Sequence, residues 1–170
     1  MFRHHLSWLL PAAVIVAFNG SASAQVVAGW SHEAAGGVEF AYYTKGLAEL
    51  TVRCKGAAVE VVYYVDAAAI DPALKGHANA VMAVIVDDAP DLMWINSSLI
   101  GEPGVMSIGV GGRDADELAR QIAAASRSIV VSILAGPPQP TTPQYNPSQF
   151  PIYGAADAIK AAYAGCGIRY

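Results

Sequence analysis

The chain has 170 residues, 54% of them hydrophobic and 14% charged, and sets 10 Lys+Arg against 14 Asp+Glu for a net charge of −4. That length fits one domain behind a leader, with enough chain to bury roughly two thirds of its unfolded surface. The charges are scattered with no basic stripe, which argues against nucleic-acid binding and against a peripheral hold on anionic lipid.

Arg3, His4 and His5 open a short polar region, an apolar run follows from Leu6 to Phe18, and Asn19-Gly20-Ser21 leads into Ala22-Ser23-Ala24. That order predicts a cleavable signal peptide over residues 1–24, cut between Ala24 and Gln25. A spanning helix needs ~20 apolar residues; this run is shorter and is interrupted by Pro11. The expectation is a single periplasmic or secreted domain over residues 25–170, with no stable membrane insertion after cleavage.

Val26–Ser31 and Val38–Tyr43 read as short strands around the turn Ala34-Ala35-Gly36-Gly37. Leu50, Val52 and Cys54 then alternate with Thr51, Arg53 and Lys55, which places Cys54 on the apolar face of a half-exposed strand. Lys55-Gly56 turns the chain into Val59–Val65, a β-branched and aromatic run that completes a hairpin. Ala67–Asn79 mixes helix and turn signals. Val81–Val86 is apolar on both faces, as in a central strand covered twice. Asp87-Asp88-Ala89-Pro90-Asp91 breaks it, and Leu92–Ser97 and Val105–Val110 read as further strands.

Asp114 and Glu117 have the spacing of a capping box before a helix over Ala115–Ala125. Ser128–Leu134 is another strand. Residues 136–149 carry five prolines, which exclude a sheet interior and predict an extended surface loop. Ala155, Ala158, Ile159, Ala162 and Tyr163 then form one apolar stripe on a second helix that carries Cys166 towards Cys54. Seven or eight short strands with two helices give an α+β domain built as an antiparallel, sandwich-like sheet.

Cys54 and Cys166 are the two cysteines. An even pair in an oxidising compartment reads first as a disulfide, with a reactive thiol or a metal pair as rivals. A zinc site wants about four ligands, and beside the cysteines the mature chain offers only His32 and His77, neither in a catalytic motif. No G-x-S-x-G elbow, H-E-x-x-H pair or S-x-x-K triplet is present. No catalytic residue, metal or cofactor is therefore expected. Asp87, Asp88 and Asp91 leave a carboxylate-dependent hydrolase open, and the apolar content leaves a small-ligand carrier open. Candidate binding residues are Trp30, Trp94, Tyr145 and Phe150, aromatics of the kind that anchor interfaces, and Arg113, which opens a helix after Gly109-Val110-Gly111-Gly112 and could hold an anion.

Leu50-Thr51-Val52-Arg53-Cys54 ends an early strand in cysteine. Phe150-Pro151-Ile152-Tyr153-Gly154 opens a small-residue helix through Ala158-Ile159, with Cys166 just beyond it. This layout resembles periplasmic accessory proteins of type VI secretion of the VasI kind, and the invasion-associated locus B proteins share part of it. The resemblance implies a non-enzymatic exported β-rich domain that acts through contacts with a protein partner. It carries over Cys54 and Cys166 as a disulfide, and no catalytic residue.

Overall fold

The computed structural model describes residues 29–76, 80–88, 93–97, 100–102, 104–135 and 144–170. The leader and its cut site, His77, Asp91 and the first part of the proline-rich segment lie outside them. The described strands are β1 (Ser31–Ala35), β2 (Val38–Lys45), β3 (Ala48–Lys55), β4 (Ala58–Asp66), β5 (Ala80–Val86), β6 (Met93–Ser97), β7 (Ile100–Glu102), β8 (Val105–Gly111), β9 (Ile129–Leu134) and β10 (Gln144–Phe150). Helix α1 (Arg113–Ala124) follows β8, and α2 (Ala155–Gly165) follows β10. The strands make two sheets, ordered β1-β2-β3-β4-β8-β7 and β10-β9-β5-β6, and every pairing is antiparallel.

The sandwich-like α+β architecture read from the sequence is therefore present, with two more strands than expected. One is the short β7. The other corrects the proline-rich loop: Gln144–Phe150 is a strand paired with β9. It lies at the sheet edge, and the register shifts between Tyr145 and Ser148. Asn146, at φ 48°, and Pro147 occupy that irregularity. A proline costs least where no ladder hydrogen bond is required of it.

Of the first expected strand, residues 26–28 lie outside the described residues; β1 starts at Ser31, after Gly29 and Trp30, and its turn is held by Gly36 and Gly37 at positive φ. The capping box does not form either. Helix α1 begins at Arg113 behind Gly112, whose φ of 73° makes the turn out of β8, and no side chain caps it. Starting there puts Asp114 and Asp116 in the first turn, where the positive end of the helix dipole favours them.

Alternation along β2, β3, β4 and β8 divides the larger sheet into two faces. Ala41, Val52 and Val61 lie opposite one another across three strands, as do Tyr43, Leu50, Tyr63 and Ile108 across four. These residues join the central core with Leu118 and Ile122 of α1, Ile159 and Tyr163 of α2, and Met82, Val131 and Phe150 of the second sheet. Fully burying a leucine or isoleucine contributes about 1.5–3 kcal/mol, so this interface is the main source of stability. The stripe predicted for α2 is its buried face, residue for residue. In β5, Ala80–Val84 are buried on both faces.

Candidate functional site

Cys54 and Cys166 form a disulfide with Cα atoms 6.2 Å apart and 112 residues of separation. Cys54 is 2% exposed on the core face of β3, and Cys166 caps α2. The bond fixes the C-terminal helix against the sheet. Beyond it, Ile168 N–H returns to Tyr163 O at 2.8 Å, and Arg120 packs over the rings of both Tyr163 and Tyr170. Burial pushes the Tyr163 phenol up and the nearby Asp116 carboxylate adds to the shift, so this tyrosine stays neutral.

The predicted binding aromatics do not gather. Trp30 is 7% exposed, and its Nε1 donates to Pro151 O at 2.7 Å. Phe150 is 1% exposed and meets Tyr43 and Tyr63 edge-on, at centroid distances of 6.3 and 6.1 Å. Both rings hold the C-terminal crossing to the sheet. Tyr145 is half-buried on β10 against the core. Trp94 lies on β6, in register with Ala83. Arg113 is exposed at the start of α1, beside a surface hollow of about 480 Å³ that also touches Cys166 and Ile168.

The acidic turn after β5 has a structural task. Asp87 Oδ1 and Oδ2 accept from the backbone N–H groups of Ser126, Arg127 and Ser128 and from the Ser126 hydroxyl, at 2.6–3.1 Å. Those donors, the Ser126 and Arg127 amides foremost, hold its carboxyl well below the usual carboxylate range. A carboxylate so occupied is a poor proton carrier. Asp88, 71% exposed at its side chain, pairs only loosely with Arg127 at 3.6 Å. Among the described residues no group of three or more His, Cys, Asp or Glu side chains could hold a metal ion.

A different surface emerges from the strand alternation. Residues opposite one another across a ladder share a face. Away from the core the larger sheet therefore presents three cross-strand rows. The first is Glu33, Phe40, Arg53 and Glu60; the second is Tyr42, Thr51 and Val62; the third is Thr44, Glu49 and Tyr64. Both described helices and the second sheet join the core on the opposite side. On this side Glu33 and Thr44 are exposed, the Arg53 and Glu60 side chains are 38% and 48% exposed, Phe40, Tyr42, Glu49 and Tyr64 are half-buried, and Thr51 and Val62 are buried in the central row between them.

Polar contacts pre-set this face. Tyr42 Oη donates to Glu33 at 2.6 Å, Thr44 and Thr51 hydroxyls donate to Glu49 at 2.7 and 2.8 Å, and Arg53 pairs with Glu60 at 2.6 Å and reaches Tyr64 Oη at 3.3 Å. The hydrogen bond to Glu33 is the main reason that the Tyr42 phenol is pushed up to about 12, with partial burial and the charges of Glu33 and Glu49 adding to it. Of these residues the sequence points to Tyr42 and Tyr64, as members of two adjacent tyrosine pairs that each put one ring on either sheet face; it does not point to Glu33, Phe40, Glu49, Arg53 or Glu60. The signal was the adjacent pairs Tyr42-Tyr43 and Tyr63-Tyr64: the first ring of one pair and the second of the other turn outward.

No family model matches the chain, and no curated protein matches it. Among solved structures the fold is similar to invasion associated protein B from Bartonella henselae. The two share 12% identity at a TM-score of 0.51, over 79% of this chain and 89% of that one. The likeness defines a class by fold: a two-sheet, two-helix β-rich domain. Among the described residues no helix is long and apolar enough to cross a membrane.

Proposed function

We propose that this protein is an exported, non-enzymatic binding or accessory domain that works through protein–protein contacts made by the open face of β1–β4. The observation that carries the reading is the set of outward aromatic and charged side chains on a sheet whose other face is filled by its own core. Tyrosine and arginine are enriched where proteins bind one another, because they bring large contact area with a polar tip. The disulfide fits an oxidising compartment, and so the periplasm or the exterior, after removal of residues 1–24 behind Ala24. The similarity to invasion associated protein B is one of fold, and the accessory role rests on the resemblance of the cysteine and helix layout to VasI-type proteins.

The competing readings have less support. Asp87 is committed to the 126–128 backbone, which takes the leading carboxylate from a hydrolase. A carrier needs a cavity between sheet and helices. That interface is filled by Val59, Val61, Ile108, Leu118, Ile122 and Ile159, each no more than 3% exposed.

The test is expression of the full chain in a Gram-negative host, followed by fractionation, N-terminal sequencing and thiol labelling. The expected product is periplasmic or released, begins at Gln25 and has no free thiol. An uncleaved, reduced cytosolic product would overturn the export reading. Turnover abolished by one side-chain change without loss of fold would overturn the non-enzymatic one.

A further inference from the structure

Resting on that reading of the open face, we infer that its partner is a cationic protein segment, rich in Lys or Arg, that lies across β1–β4 with its charges over Glu33 and Glu49. The face carries Glu33, Glu49, Glu60 and Asp66 against Arg53 and Lys55. Glu60 is balanced by Arg53. Glu33 and Glu49 accept hydrogen bonds from the hydroxyls of Tyr42, Thr44 and Thr51, which orient a carboxylate without neutralising it. Phe40, Tyr42 and Tyr64 add ring faces within the same rows, and a guanidinium or ammonium stacks favourably on such rings. Fixed acids beside aromatic rings are the complement of an arginine-bearing chain.

A second copy of this protein fits poorly. Strand β1 is the edge of its sheet, with all five residues exposed. Two copies pairing antiparallel about its middle residue would set Glu33 against Glu33, and like charges directly opposite are destabilising. Nucleic acid and anionic lipid are repelled by the same carboxylates.

The experiment uses the disulfide-bonded protein and a fluorescein-labelled twelve-residue peptide alternating Arg with Leu. A Glu-for-Arg peptide serves as comparison. Binding is read by anisotropy and the site by amide chemical shifts. The Arg peptide is expected to bind, to move amides of β1–β4, and to weaken as salt rises, because exposed charges are screened. Glu33→Gln with Glu49→Gln keeps one carbonyl acceptor at each position, for the Tyr42 hydroxyl and for one of the two threonine hydroxyls, while the other threonine hydroxyl must turn to accept from the new amide; circular dichroism checks that the fold is retained. This double variant is expected to weaken binding about tenfold, through the loss of two surface ion pairs. Asp114→Asn with Glu117→Gln, on α1, makes the same change in net charge and is expected to leave binding within about twofold. Equal affinity for the Glu peptide, or equal loss in the two double variants, would overturn the cationic-partner inference while the open face stands. Shifts confined to α1 and α2 would overturn both.

Discussion

Opening the Cys54–Cys166 bond releases the longest covalent constraint in the molecule. Closing a loop of 112 residues removes chain entropy from the unfolded state by an amount that corresponds to about 4.8 kcal/mol at 25 °C. A domain of this size has a total stability of about 5–15 kcal/mol, so the loss is a large share of the whole. The variant of choice is Cys54→Ala with Cys166→Ala, because serine would bury a hydroxyl at position 54, which is 2% exposed. Urea melts of the variant, and of the native protein with and without reductant, give the stability difference. The expected loss is about 4–5 kcal/mol, or a Tm lower by about 10–20 °C, with a similar loss on reduction. A difference below about 1 kcal/mol in both cases would refute the reasoning. It would mean that α2 stays docked through Ile159 and Tyr163 alone, or that the unfolded chain already keeps its ends together.

Asp87 gives a pH-dependent test. Its carboxyl titrates below its unfolded value near 4, so its contribution is fully present above that value and is lost as pH falls through the folded one. Asp87→Ala should lower Tm at neutral pH, and the gap from wild type should close on acidification; a gap independent of pH would contradict the assignment. Tyr63→Phe removes a hydroxyl that donates to Asn146 O at 2.7 Å and meets Ser148 Oγ at 2.9 Å. Its expected cost is about 1 kcal/mol in a urea melt, with earlier amide exchange along β10. Gly109→Ala would place a methyl 2.7 Å from Val61 O and 3.1 Å from Val62 Cγ2. A loss of about 1–3 kcal/mol is expected, and an unchanged midpoint would show that β4 and β8 shift apart freely.

Much of the fold was legible because it rests on period and punctuation. The alternation of Leu50, Val52 and Cys54 and the stripe of Ala155, Ala158, Ile159, Ala162 and Tyr163 each name one buried face, and a cysteine on one and after the other names the disulfide. The α1 cap was not legible, since a glycine at positive φ set the helix start one residue before Asp114. Strand β10 was hidden because prolines mark both loops and sheet edges, and only a partner strand tells them apart. The candidate site was harder still. Trp30 and Phe150 are large enough to anchor an interface or a core, and here the core takes both. The outward rows pair Glu33 with Phe40 and Arg53 with Glu60, contacts fixed by strand register rather than by nearness in sequence.

The proposed contact between the face of β1–β4 and a protein partner can be trapped in place. Site-specific photocrosslinking in the exporting cell tests it most directly, with p-benzoylphenylalanine placed either at Tyr42, on that face, or at Lys160, on the exposed side of α2. A discrete crosslinked species is expected from position 42 and none from position 160. Crosslinking from position 160 alone would contradict that contact and move the interface to the helical side of the domain.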